Sequence, residues 1–217
     1  MSFSLKHIKR DPLKKQDTPP PMLILLHGLG SNEQDLFSFA PLLDPKFLIL
    51  SVQAPISYGF GGYAWFNIDL TSGIPSANIQ QVMHARRLLA NFLEEAIKAY
   101  QPDTKHIYLA GFSQGAIMSY ATAFLRPSKI NGIVAMSGYI LREITPQVTY
   151  GPGPDKLKIF ATHGTQDQVL PIFLGRATND YLRTLHVEYS YKEYDMAHEV
   201  NQECLTDVKK WLSDRIN

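Results

Sequence analysis

Residues 107–125 read I-Y-L-A-G-F-S-Q-G-A-I-M-S-Y-A-T-A-F-L. An apolar run of strand length leads into a glycine-flanked serine, and a run of helix length leads out. At the junction, Gly111-Phe112-Ser113-Gln114-Gly115 fits G-x-S-x-G, a pattern that carries little weight alone and much more between a strand and a helix. A strand that turns sharply into a helix needs small residues two before and two after the turning residue, because neighbouring backbone passes close there. The plain alternative is a Gly-Ser turn with no chemistry.

Working outward, short apolar runs recur at Met22–Leu26, Phe47–Val52, His106–Ala110, Ile130–Met136, Lys158–Thr162 and Val187–Tyr191. Runs of this length bounded by Gly, Ser or Pro read as buried strands of a parallel sheet. Helical patterns separate them. Ile79, Val82, Met83, Leu89, Phe92, Leu93, Ala96 and Ile97 repeat at three and four, ending near Gln101-Pro102. Gln114–Leu125 is a second helix, Leu174, Ala177, Tyr181 and Leu185 mark a third, and Val200 to Leu212 a fourth. Strands alternating with helices imply βαβ units and a mostly parallel sheet covered on both faces. The expectation is one α/β domain over residues 1–217, with 1–20 a basic, proline-containing lead-in.

Composition bounds the partners. Twenty-one Lys+Arg against twenty Asp+Glu leave a formal charge of +1, which argues against electrostatic binding to nucleic acid or an anionic membrane. No stretch approaches the ~18 apolar residues that cross a bilayer, and Met1–Lys15 has no signal-like apolar core, so a cytoplasmic protein is expected. The single cysteine, Cys204, excludes an internal disulfide and reads as core on the apolar stripe of the last helix. No metal is expected: His198-Glu199 begins like H-E-x-x-H, but the fifth position is Gln202. No cofactor is expected either. Gly28-x-Gly30 follows a strand as a dinucleotide fingerprint would, yet Glu33 stands where that motif needs Gly or Ala.

A serine at a strand-to-helix elbow becomes a nucleophile when a base takes its proton. In this architecture the chain order is Ser, then Asp or Glu, then His. Of seven histidines, His163, His186 and His198 follow Ser113. His163 directly follows a strand with too little chain before it, and His186 opens an alternating run. His198 lies between that run and the final helix, where a loop can aim it, and is the expected base. Asp167 follows K-I-F-A-T through H-G-T-Q and is the expected acid, with Asp195 its main rival. Two backbone amides should face the developing oxyanion. Gln114 supplies one, and Leu29, within His27-Gly28-Leu29-Gly30, the other. His27 reads as a loop-ordering residue rather than a base.

Residues 58–66 (Y-G-F-G-G-Y-A-W-F) hold five aromatics and three glycines. They read either as an apolar wall for substrate, led by Trp65 and Phe66, or as an aromatic loop packed on the core. This loop and the stretch around Thr145–Asp155 are the only segments long enough to cover Ser113, and neither reads as a helical cap.

H-G-L-G-S-N-E-Q-D-L, A-W-F, G-F-S-Q-G, H-G-T-Q-D-Q-V-L-P and A-H-E-V, in this order, resemble the phospholipase/carboxylesterase family of small α/β-hydrolases, over about residues 20–215. The resemblance implies an α/β-hydrolase fold without a large cap. It implies Ser113, Asp167 and His198 as triad, Leu29 and Gln114 at the oxyanion hole, and a small-molecule ester as substrate. A homodimer is left open. Ser31-Asn32-Glu33 replaces the Asp that eukaryotic thioesterases of the family carry after H-G-L-G, and Ala197 replaces a common Gly, which brings the chain nearer to bacterial carboxylesterases. A serine peptidase and a non-catalytic binding protein of the same fold are the competing readings.

Overall fold

Met22–Leu26 is apolar at every position because it is buried on both faces, which places it in the interior of the sheet. The computed structural model describes residues 3–14, 17–69, 71, 75–125, 129–143, 157–185 and 187–217. In chain order the elements are β1 (His7–Arg10), β2 (Met22–Leu26), a 3₁₀ turn (Leu36–Leu42), β3 (Leu48–Val52), β4 (Ile56–Gly59), β5 (Gly62–Ala64), β6 (Ile68–Asp69) and β7 (Ser76–Ala77). There follow α1 (Ile79–Tyr100), β8 (Ile107–Phe112), α2 (Gln114–Leu125), β9 (Gly132–Met136), β10 (Lys158–Gly164), α3 (Ile172–Arg183), β11 (Glu188–Tyr194) and α4 (Gln202–Ser213).

Seven strands form one sheet in the order β1-β3-β2-β8-β9-β10-β11, parallel except at β1. Alternate residues of each strand serve opposite faces. Met22, Ile24 and Leu26 pack with Leu89, Phe92 and Leu93 of α1 and Ile117 and Ala121 of α2. Leu23 and Leu25 pack with Leu36, Ala40, and Val208 and Trp211 of α4. The helices therefore cover both faces. α2 is buried from Gln114 to Phe124, so its sequence carries almost no polar stripe. Asn78 and Asn201 cap α1 and α4, their side-chain oxygens accepting from the amides of Gln81 and Cys204.

Two features depart from the expected layout. The lead-in holds β1, which pairs antiparallel with β3 and blunts the sheet edge with Lys9 and Arg10. Four residues, three half-exposed and Lys9 exposed, leave no apolar run to signal a strand. Just before it, Lys6 pairs with the buried Glu33 at 2.8 Å and so ties the lead-in to the loop after β2. The aromatic stretch, read from the sequence as a loop, is built on a β4–β5 hairpin, with Phe60 fully exposed at its tip at φ 48°. Arg126-Pro127, Thr145–Asp155 and His186 lie outside the described residues. Among the described residues no helix is long and apolar enough to cross a membrane.

From β2 the chain first moves outward to β3 and later returns to β2's other side as β8. The crevice between β2 and β8 is thus a topological switch point, where loops leaving the carboxyl ends of adjacent strands diverge. The β2–β8 ladder ends at Leu26 opposite Gly111. His27–Gly30 and Ser113 emerge there side by side.

Candidate active site

Ser113 sits at the elbow between β8 and α2 with φ 55°, a left-handed conformation that non-glycine residues seldom adopt. Tight packing imposes it. A Cβ on Gly111 would lie 2.2 Å from the Gly115 carbonyl oxygen, and one on Gly115 would lie 1.9 Å from that of Leu26. Both positions therefore require glycine. The Ser113 amide donates to the Met136 carbonyl at 2.9 Å, which anchors the strained turn to β9.

The Ser113 hydroxyl lies 2.9 Å from His198 Nε2, and His198 Nδ1 lies 2.6 Å from Asp167 Oδ2. His198 comes from the loop between β11 and α4, and Asp167 from the loop after β10. Gly164 brings these loops together, since a Cβ there would meet the carbonyl oxygens of Met196 and Ala197 at 2.3 Å. The amides of Thr165 and Gln166 then donate to the carbonyls of Tyr194 and Met196. The second Asp167 oxygen accepts from the amides of Val169 (2.9 Å) and Leu170 (2.8 Å). Burial by itself would raise this carboxyl's pKa. The hydrogen bonds from His198 and the two amides outweigh it and hold Asp167 below the usual carboxylate range.

The rivals lie elsewhere. Asp195 accepts from the Gln166 side chain at 2.5 Å instead of from His198. His163 is fully buried beneath Asp167, and its Nε2 donates to the Leu170 carbonyl at 2.7 Å. Burial lowers its pKa, and Gly175 of α3 leaves room for the ring.

A cavity of about 190 Å³ opens over Ser113, lined by Leu29, Gln114, His198 and the apolar side chains of Phe112, Ile68, Ile117, Val169 and Leu170. Leu29 and Gln114 thus face the same space as the hydroxyl. The neighbouring amides of Gly30 and Ser31 donate to the carbonyls of Tyr63 and Gly28, whereas the Leu29 amide has no acceptor among the described residues. Gln114 opens α2, so its amide precedes the helix's own ladder and lies at the positive end of the helix dipole.

Trp65 and Phe66 do not line this cavity. Both are fully buried, on the side of the core that holds α1 and α2. The walls come from Ile68, Ile117, Val169 and Leu170, side chains that an apolar pattern alone cannot separate from core. Val169 had one readable signal, an apolar residue two past a loop aspartate, and it is 47% exposed at the cavity's edge. Among the described residues no group of three or more His, Cys, Asp or Glu side chains could hold a metal ion.

The phospholipase/carboxylesterase family model matches residues 13–216. Acyl-protein thioesterase 1 of Candida albicans is 30% identical over 209 residues, 88% of this chain and 90% of that protein. Among solved structures, esterase PE8 superposes with a TM-score of 0.83 at 22% identity, covering 97% of this chain and 98% of the other. The Bacillus cereus carboxylesterase superposes at 0.78 and 23% identity, covering 97% and 94%. These last two likenesses are of fold. The chain belongs to the phospholipase/carboxylesterase family of α/β-hydrolases.

Proposed function

We propose that the chain is a serine carboxylesterase that hydrolyses small-molecule esters of short to medium acyl chains through an acyl-enzyme intermediate. The observation that carries this reading is the unbroken path from the Ser113 hydroxyl through His198 to Asp167, at 2.9 and 2.6 Å, on the floor of an apolar cavity. His198, with its proton on Nδ1 toward Asp167, accepts the Ser113 proton at Nε2 as the oxygen attacks the ester carbonyl. The amides of Leu29 and Gln114 receive the charge that develops on the carbonyl oxygen. The imidazolium, stabilised by the Asp167 carboxylate, then protonates the departing alkoxide. Water attacks the acyl-enzyme by the same steps in reverse, and no cofactor enters.

Cavity size supports this substrate class. About 190 Å³ is smaller than the ~300–1,000 Å³ of sites that enclose drug-sized ligands, and favours a short to medium chain over a long lipid. The same machinery would cleave a thioester, the chemistry named for the Candida albicans relative, so a thioester belongs in the substrate panel. We place the enzyme in the cytoplasm. Its assembly, monomer or homodimer, is read by light scattering. Turnover of p-nitrophenyl esters and labelling by a fluorophosphonate test the core of the reading. Ser113→Ala should abolish both, reducing turnover by about 10⁴–10⁶. A folded Ser113→Ala protein that keeps a tenth of wild-type turnover refutes it.

A further inference from the structure

Trp65 reaches both segments that carry the cavity's amides. Its indole Nε1–H donates to the His27 carbonyl at 2.9 Å. Its backbone N–H donates to Gln114 Oε1 at 3.1 Å, and Gln114 Nε2 donates in turn to the Phe66 carbonyl at 2.8 Å. On the Leu29 side, His27 Nδ1–H donates to the Gly28 carbonyl at 2.7 Å, while its Nε2 accepts from the Ala54 amide at 3.0 Å. A trans peptide points its N–H opposite to its C=O. Holding the Gly28 carbonyl against His27 therefore aims the Leu29 N–H the other way, and Leu29 lines the cavity.

We propose that Trp65 is a positioning residue, a strut that sets the separation and direction of the Leu29 and Gln114 amides. The inference rests on the esterase reading of Ser113. An oxyanion needs both donors within about 2.7–3.1 Å of one oxygen, and an error near 1 Å costs about a hundredfold. The β2–β8 ladder registers the two segments only as far as Leu26 and Gly111. Past that point the two segments no longer pair with each other, and Trp65 joins them by one hydrogen bond to each. Because Trp65 lies outside the cavity, it acts on the transition state without touching bound ester.

Trp65→Phe keeps a ring and the backbone donor to Gln114 but removes the indole N–H. Gln114→Met keeps the Gln114 amide and cuts the other tie, so it carries the test if the first variant does not fold. The expected result is a fall in kcat on p-nitrophenyl butyrate of about 10- to 100-fold with KM within about threefold. Affinity for an alkyl trifluoromethyl ketone, whose hemiketal oxygen takes the oxyanion's place, should fall by a similar factor. A lowered melting temperature with wild-type kcat and wild-type inhibitor affinity overturns the inference and leaves Trp65 a core residue. Undiminished turnover in Ser113→Ala overturns the esterase reading instead, whatever the Trp65 variant does.

Discussion

Gly62→Ala tests whether the backbone after β2 contributes to turnover through its position. Gly62 begins β5, and a Cβ there would stand 2.2 Å from the Gly30 carbonyl oxygen and 2.8 Å from its carbon. Its φ is not among the positive values, so the substitution acts by crowding rather than backbone strain. The contact must widen from 2.2 Å to an ordinary 3.4 Å, a shift of about 1.2 Å. The hairpin cannot absorb this alone, because the Gly30 amide donates to Tyr63 at 2.9 Å and the Tyr63 amide to Ser31 at 2.7 Å. The displacement therefore passes to Leu29. A misplacement of this size costs roughly a hundredfold in rate, or about 2.7 kcal/mol in the barrier. Crowding costs a further ~1–3 kcal/mol of stability. Initial rates on p-nitrophenyl butyrate, with thermal melts by circular dichroism, should show kcat down about a hundredfold and KM little changed. Gly61→Ala is the control: it has φ +80° and nothing within 4 Å, so it strains the hairpin tip without pressing on Gly30. A folded Gly62→Ala enzyme with kcat within twofold of wild type refutes the reasoning.

Asp167→Asn should lower kcat by about 10⁴, because the imidazole loses the acceptor that selects its tautomer, whereas Asp195→Asn should cost little; equal losses would contradict the assignment. kcat/KM should climb roughly fourfold per added carbon from acetate to an optimum between butyrate and octanoate, then fall for palmitate, following about 0.8 kcal/mol per buried methylene. Ile117→Phe, which narrows the cavity, should move that optimum toward acetate, and an unmoved optimum would place the acyl chain elsewhere. His7, His27 and His163 all have pKa values lowered first of all by burial, so the unfolded chain binds protons more readily than the native one. Stability should therefore fall as pH drops below about 6.5, levelling once these groups are charged in both states. Asp167, with its pKa held down, contributes above the ordinary carboxylate range and loses that contribution only as pH falls through its lower native value. A urea midpoint unchanged between pH 7.5 and 5 would contradict the histidine part of this account.

Much of the candidate site could be read from the chain because it sits where element types change. A serine between a strand pattern and a helix pattern, flanked by Gly111 and Gly115, is legible in one dimension. The steric demand at those glycines is local, and the chain order of Ser113, Asp167 and His198 follows from the architecture. The strands announce themselves in the same way, since a doubly buried strand such as Met22–Leu26 must be apolar at every position.

What stayed hidden was whatever depends on direction rather than burial. Trp65 and Ile117 are both buried apolar side chains, yet Ile117 lines the cavity while Trp65 points away and ties two loops together. Edge strand β1 carried no apolar run, because an edge needs charge more than burial. Asp167, the expected acid, and Asp195, its rival, are both loop carboxylates. Only the close crossing of the Met196–Ala197 backbone over Gly164 sets Asp167 beneath His198 and leaves Asp195 to Gln166. The sequence by itself determined the layered α/β plan, the strained elbow and the residue types that can carry the chemistry, because periodicity and glycine requirements are local. Tertiary structure alone decided which side chains wall the cavity and where the aromatic residues point. Those depend on loops from four strand ends converging past the last hydrogen bonds of the sheet, where no repeating pattern constrains the chain.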